Sequence, residues 1–321
     1  MRVCIPIEFK PQGGGHYFLK SFSEYLLAHQ HLVTADIRDR YEVLFTNHWM
    51  VPRRRILKAI RRNPRVRIVQ RIDGAAQDYG RDPEADRIQH EVNLLSDLTI
   101  FQSDYCRYST REKFPVITQD GPVIHNPVDI NLFTPTGERR SFPQDTLVAA
   151  VTWSQNPMKG AASVYVVARN NPNVGFVLCG NFPDAPPTPN IYSLGVLDRG
   201  KLAEVLRSCN ALVSFSQNEA CPNHVLEALS CGLPILYVDS GAMKEVVGDA
   251  GLPVIVENFS TQFDLIMQNR NYYANAARKR VLKLFSPSII FPKYIGAIQQ
   301  SLMAPTNMKA VTRLTKAYLG L

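Results

Sequence analysis

No apolar run in this 321-residue chain approaches the length of a membrane-spanning helix; segments such as Leu147–Val151 and Val174–Leu178 end within two turns. A span needs about 20 predominantly apolar residues, so no transmembrane helix is expected. The opening MRVCIPIEFK reads as a buried strand and is too short for a secretory leader. Cysteines are few, at 4, 106, 179, 209, 221 and 231, and none makes a CxxC pair. That spacing argues against a zinc ribbon or a disulfide framework and suits free, buried thiols in a reducing cytoplasm. The seven histidines lack HxxxH or HExxH spacing, so no metal site is expected. Acidic residues are missing from two places. Arg53, Arg54, Arg55, Lys58, Arg61, Arg62, Arg65 and Arg67 form a run with no acid among them, and no Asp or Glu follows Asp264, against nine Lys and Arg. The net charge of +8 is therefore lopsided. Two readings stand: solvated helix faces, or a surface suited to an anionic membrane or a phosphate-bearing acceptor. Nucleic acid fits poorly, because no aromatic platform accompanies the charge.

What is present is a chain of two-domain length with 45% hydrophobic and 20% charged residues, ordinary for a globular protein. Short β-rich runs alternate with helical segments, the pattern of doubly wound parallel sheets. Strands are predicted near Val3–Ile7, Val43–Thr46, Val66–Ile72, Leu98–Gln102 and Val123–His125. Helices are predicted over His16–His29, Pro52–Arg62, Pro83–Leu95 and Asp104–Phe114. The scheme repeats with strands near Leu147–Thr152, Val174–Cys179, Ala211–Ser216 and Ile235–Val238. The polar stretch Thr134–Thr146 between the halves reads as a linker.

The segment Ser214–Pro253 is the most informative. Glu219 and Glu227 bracket the start of a short helix, and Pro222 suits its first position because proline lacks the N–H that a helix leaves unpaired there. The amides of Asn223 and His224 then point out of the positive end of the helix, ready for an anion. Glu227, one turn inside, is placed to accept from vicinal hydroxyls. Cys231-Gly-Leu-Pro234 ends the helix, and Glu245-Val-Val-Gly-Asp-Ala-Gly251 follows. Elsewhere, Gly13-Gly14-Gly15 lie between the first strand and the first helix, where glycines let a backbone approach a ligand. Trp153-Ser154-Gln-Asn-Pro-Met-Lys159-Gly160 follows the first strand of the second half, and Lys159 is a compact cation suited to a departing diphosphate. Asp73, at the end of Val66–Ile72, is either a ligand for sugar hydroxyls or a cap on the turn at Gly74.

Taken in order, Glu219…Glu227, the CGLP turn and the EVVGDAG stretch resemble the nucleotide-sugar site of retaining glycosyltransferases with the GT-B fold, in particular family 4. The resemblance covers essentially the whole chain. It implies an α/β protein of two Rossmann-like, doubly wound parallel-sheet domains facing a cleft. The acceptor-side domain would be 1–138, completed by a helix from about 287–321 crossing back, and the donor domain 139–286. It implies transfer of a hexose-like group from a nucleoside-diphosphate sugar to a glycan or lipid-linked acceptor, as in surface-polysaccharide or glycolipid synthesis. By the same resemblance Lys159, Glu219 and Asp73 act on the reacting groups, with Glu219 touching the donor sugar and Glu227 the ribose. Gly13, Gly14, Gly15, Ser154, Asn223 and His224 surround the diphosphate, and Gly180 and Val196 the base. The donor is a substrate, neither cofactor nor metal is implied, and a cytoplasmic place at the inner face of a membrane follows. Two departures stand out. Ser154 occupies the position where the family usually has arginine, and Ala220 and Pro222 replace glycines. A nucleotide-sugar 2-epimerase, which shares this fold, and a non-catalytic nucleotide-sugar binder are the alternatives.

Overall fold

The computed structural model describes residues 1–10, 13–113, 120–184 and 188–304. The apolar and basic tail after Ala304 lies outside them. The chain divides into two compact units, Met1–Asn126 together with the chain from Ile290 on, and Pro127–Ile289.

The first unit holds β1 (Arg2–Cys4), α1 (Gly14–Ala28), β2 (Leu32–Thr34), β3 (Val43–Asn47), α2 (Arg53–Arg62), β4 (Arg67–Ile72), α3 (Pro83–Asn93), β5 (Leu98–Phe101), α4 (Asp104–Lys113) and β6 (Asp120–Val123). Its strands pair in parallel in the order β2-β1-β3-β4-β5-β6. Both faces are covered, which is why the strands read as unbroken apolar runs. Alternate residues go to opposite sides. Val3, Val43, Phe45 and Val69 pack with Phe18 and Phe22 of α1, whereas Cys4, Leu44 and Ile68 pack with Ile56 and Ile60 of α2.

The second unit holds β7 (Leu147–Thr152), α5 (Ala161–Asn170), β8 (Gly175–Gly180), β9 (Ile191–Ser193), α6 (Arg199–Ser208), β10 (Ala211–Ser214), α7 (Asn223–Ser230), β11 (Ile235–Tyr237), α8 (Met243–Val247), β12 (Gly251–Pro253), α9 (Phe259–Gln268) and α10 (Arg270–Leu284). Its parallel order is β12-β11-β10-β7-β8-β9. The edge strands β2 and β12, three residues each, are not among the predicted strands; at that length a strand carries no periodicity to read.

Two segments differ from the sequence reading. The first unit ends at Asn126, not at 138. Residues after Pro127 belong to the second unit because Phe133 is fully buried there and its carbonyl accepts from Ser230 Oγ at 2.5 Å and Arg278 Nη1 at 2.9 Å. The stretch read as a linker is tied down as well, with Arg207 Nε donating to Glu138 O and Arg140 N to Ser208 Oγ, both at 2.7 Å. Finally, the helical stretch Arg270–Met303 is long and apolar enough by composition to cross a membrane. It is broken at Phe285–Ser286 into α10 and α11 (Pro287–Met303). The apolar residues Ile290, Phe291, Tyr294 and Ile298 of α11 are spent in the core of the first unit. All six cysteines are free and buried.

Arg71 is among the largest fully buried side chains of the described residues, and α11 supplies one of its partners. Its Nε donates to Tyr294 Oη at 3.1 Å, Nη1 to Asn47 Oδ1 at 2.5 Å and Nη2 to Asn126 Oδ1, while its guanidinium lies 3.9 Å from the centre of the Phe18 ring. Tyr294 Oη in turn donates to Ile124 O at 3.1 Å. A buried cation stripped of one partner costs about 1–3 kcal/mol. Tyr294→Phe is therefore expected to lower unfolding stability by about that much, read from the urea midpoint; an unchanged midpoint would remove Arg71 as the anchor of α11.

Candidate functional site

Each unit has a topological switch point, where the chain leaves the central strand in opposite directions. Open α/β sheets bind ligands there, beyond the carboxyl ends of the strands. In the second unit the point lies between β7 and β10, and the loops after those two strands carry Lys159 and Glu219.

The loops are locked together by their backbones. Gly160 adopts φ +71° and lies so close to Phe215 that a Cβ would come within 2.5 Å of Phe215 Cβ and O. Gln217 N donates to Met158 O at 2.8 Å. Asn156 caps the turn Pro157–Lys159 by accepting from Met158 N at 2.9 Å. The β10 loop is held from its other side by Gly241, whose φ is +64° and whose Cβ would meet Glu219 N at 2.5 Å. Ala242 N donates to Glu219 O at 2.7 Å, and Ser240 Oγ bridges Asn218 N and Oδ1. Lys159 Nζ consequently rests 2.5 Å from Glu219 Oε1, both side chains being largely buried.

Four residues further, α7 opens at Asn223 with Pro222 just outside it, so the first-turn amides of Asn223 and His224 fall outside the helix's own ladder. The His224 ring shares a hydrogen bond with Ser214 Oγ at 3.0 Å, and burial pushes its pKa down to about 4, which keeps it neutral. Glu227 is buried and meets Arg199 Nη2 at 3.2 Å. Burial outweighs the pull of that guanidinium and raises the Glu227 pKa to about 7. Ser154 is absorbed in a turn: its N donates to Thr152 Oγ1 at 3.3 Å, and its Oγ accepts from Asn156 N at 3.1 Å. Gly180 has φ +108° and would place a Cβ 1.7 Å from Thr152 O; its N donates to Gly195 O at 2.7 Å, which brings it beside the exposed Val196.

The remaining expected residues belong to the first unit. Gly14 and Gly15 are the first residues of α1, which thus opens two positions before His16, and Gly13 precedes it at φ +99°. Asp73 closes β4. Its Oδ1 is buried without a hydrogen-bond partner. Arg199, His48 and Arg71 escape sequence reasoning. Arg199 sits on an unremarked helix start, and His48 becomes noticeable only once β3 and β4 are known to be neighbours. Among the described residues no group of three or more His, Cys, Asp or Glu is placed to hold a metal ion.

Residues 156–280 match the family model for glycosyl transferases group 1. The chain is similar in structure to sucrose-phosphate synthase from Thermosynechococcus elongatus, with a TM-score of 0.76, 15% identity, and coverage of 93% of this chain and 98% of the other. HepE from Anabaena, in complex with UDP and glucose, gives a TM-score of 0.72 at 14% identity, covering 93% and 99%. The lipopolysaccharide outer core galactosyltransferase WaaB gives 0.66 at 11%, covering 93% and 98%. The fold is GT-B. No curated protein matches the sequence.

Two outcomes follow from the geometry. Gly160→Ala is expected to lower the melting temperature by several degrees, since both the positive φ and the contact with Phe215 resist a Cβ. The contribution of Glu227 to unfolding stability should also fall as pH rises from about 4.5 to about 7, against the opposite contribution of His224 and His48, whose pKa values burial lowers to about 4. Across that window the unfolded chain has released the Glu227 proton and the folded chain still holds it. Urea titrations of the parent and of Glu227→Gln at the two ends should show stability rising more steeply with pH in the variant.

Proposed function

We propose that the chain is a retaining glycosyltransferase that moves a sugar from a nucleoside-diphosphate sugar to an acceptor hydroxyl. The observation that carries this reading is the Lys159–Glu219 pair at the switch point of the second unit, ahead of the opening of α7. The group 1 match over the same residues supports it, as does the likeness to HepE, whose structure holds UDP and glucose. In the reaction the bond from the sugar C1 to the diphosphate oxygen breaks and the acceptor oxygen bonds C1 on the same face. The acceptor proton passes to the departing phosphate. Lys159 and the amides of Asn223 and His224 meet the negative charge that grows on that phosphate, which stabilises the transition state more than the bound donor. In the absence of donor, Glu219 occupies Lys159; with donor bound, the lysine turns to the diphosphate and the carboxylate to sugar hydroxyls. Glu227 receives the ribose diol while Arg199 holds its other side, and the Gly180–Val196 edge reads the base. Asp73 and Gly13–Gly15 serve substrate from the first unit. No metal takes part in this scheme.

The acceptor in this proposal is a glycan or lipid-linked saccharide met at the cytoplasmic face of an anionic membrane. Helix α2 supports that part. It buries Ile56, Ala59 and Ile60 and exposes Arg54, Lys58, Arg61 and Arg62, with Arg65 exposed just beyond.

Melting temperatures with UDP, GDP, ADP and dTDP test the donor site. The matching nucleotide at about a hundred times its Kd adds about 2.7 kcal/mol, and no response to any of them overturns the reading. With the matching sugar nucleotide, Lys159→Gln should lower kcat by about 10²–10³ with little change in melting, and EDTA should leave turnover intact. Release of the nucleoside diphosphate only when an acceptor is present favours the transferase; conversion of the sugar nucleotide into its C2 epimer would point to the epimerase. Vesicles rich in phosphatidylserine should bind the protein in a salt-dependent way that Arg54→Glu with Lys58→Glu reverses; equal binding to neutral vesicles would remove the membrane from the proposal.

A further inference from the structure

Helix α10 holds Arg270, Arg278, Lys279, Arg280 and Lys283 and no Asp or Glu. On α1, α3 and α6, by contrast, a cation has its acid within a turn: Lys20 with Glu24, Arg87 with Glu84 and Glu91, Lys201 with Glu204. Two of the α10 arginines have clear roles. Arg278 Nη1 donates to Ser230 O at 2.8 Å and Phe133 O at 2.9 Å, and its Nη2 to Ile130 O at 3.0 Å. It thereby closes the carbonyl end of α7, where a cation is favoured. Arg280 donates to Glu245 O and Val246 O, both at 2.8 Å. All of these partners are neutral carbonyls, and burial lowers the Arg278 pKa.

Lys279 and Lys283 have no such role. Both are exposed, one turn apart, and neither pairs with an acid among the described residues. Like charges at that spacing repel. Carboxylates on the segments packed against α10 are committed elsewhere. Glu227 of α7 meets Arg199, and Asp129 Oδ1 accepts from Asn131 N and Leu132 N, both at 3.1 Å. Beside the lysines lies an open hollow of about 630 Å³, lined by Asn275, Arg278, Lys279, Leu282 and Lys283. Small-molecule sites occupy about 300–1,000 Å³. Helix geometry explains the lining: Asn275, Lys279 and Lys283 form one i, i+4 row, and Arg278 and Leu282 the row beside it. Three cations, an amide and one apolar wall line the hollow, and no acid does.

We propose that this hollow binds a phosphate group carried on a small organic body, with Lys279 and Lys283 meeting its oxygens together. The Cβ atoms of an i, i+4 pair are about 5–6 Å apart, so one doubly charged phosphate reaches both ammonium groups, whereas a carboxylate would leave one charge unmatched. Asn275 supplies a neutral donor, Arg278 adds a third positive charge, and Leu282 offers the organic body an apolar wall. That body is a soluble phosphate ester or the glycerol of a phospholipid headgroup, and the chemistry at the lysines is the same for both. The hollow shares no residue with the Lys159 loop or the opening of α7, and α2 belongs to the other unit. The site therefore stands whether or not the chain transfers sugars.

Calorimetric titration of the full-length protein with glycerol 3-phosphate should show a site that Lys159→Gln leaves in place. Lys279→Gln with Lys283→Gln should weaken it by about tenfold or more, with the melting temperature unchanged because both side chains are exposed. Affinity that survives the double substitution, or that disappears with Lys159→Gln, overturns the proposal. The source is read by sedimentation with phosphatidylcholine vesicles, with and without phosphatidic acid, on protein carrying Arg54→Glu and Lys58→Glu to remove the charge of α2. Retention by the phosphatidic acid vesicles alone, abolished by the two lysine substitutions, assigns the phosphate to a lipid. Binding of the soluble ester without retention by either vesicle assigns it to a soluble ligand. Protein that binds neither ester nor vesicle has no such site. A donor site that fails its nucleotide test leaves these readouts unchanged, so the two readings fail separately.

Discussion

The candidate donor site depends on one close approach of backbone to backbone, Gly160 against Phe215. Without a side chain at 160, the loop after β7 can lie on the loop after β10, and a lysine from one meets a glutamate from the other. The contact lies at the boundary between two diverging crossovers, where the sheet leaves room at its carboxyl edge. Everything else in the site is referred to this contact. Ser240–Ala242 braces the same loop from behind, and α7 then begins at a set distance from the lysine.

The same logic serves both units with different chemistry. In the second unit the switch point gathers a cation, a carboxylate and the amides of a helix opening, a set suited to a diphosphate. In the first it gathers a neutral histidine, a carboxylate and a glycine-led helix, with polar atoms left unsatisfied. Buried charge is treated differently in each. Arg71 is fully coordinated by side chains from three parts of the first unit and acts as a strut. Glu227 is held by one guanidinium in surroundings that favour its protonated form, so ionising it draws on folding stability.

The departures from the family pattern acquire a physical meaning. Ser154, where an arginine is usual, is committed to the turn that presents Lys159, leaving Lys159 as the charged side chain of that loop. Pro222 removes an amide at the entry to α7, yet its carbonyl accepts from Val225 and Leu226, so it opens the helix as well as a glycine would.

The sequence by itself determined the alternation of strands and helices, a helix start close to Pro222 (the structure opens it one residue later, at Asn223) and the candidate residues around it. These follow from periodicity and from proline and glycine chemistry, which act over a few residues. The helix returning to the first unit was legible only through resemblance, and its apolar residues prove to be the core of that unit. Tertiary structure alone decided the pairings. Lys159 and Glu219 lie 60 residues apart, Arg199 and Glu227 28 apart, and His48 and Asp73 come together because β3 and β4 are adjacent. It also decided that residues 127–138 join the second unit, since the burial of Phe133 and the partners of its carbonyl come from α7 and α10. Contacts between distant segments leave no local period to read, and the three-residue edge strands β2 and β12 owe their conformation to the neighbours they pair with.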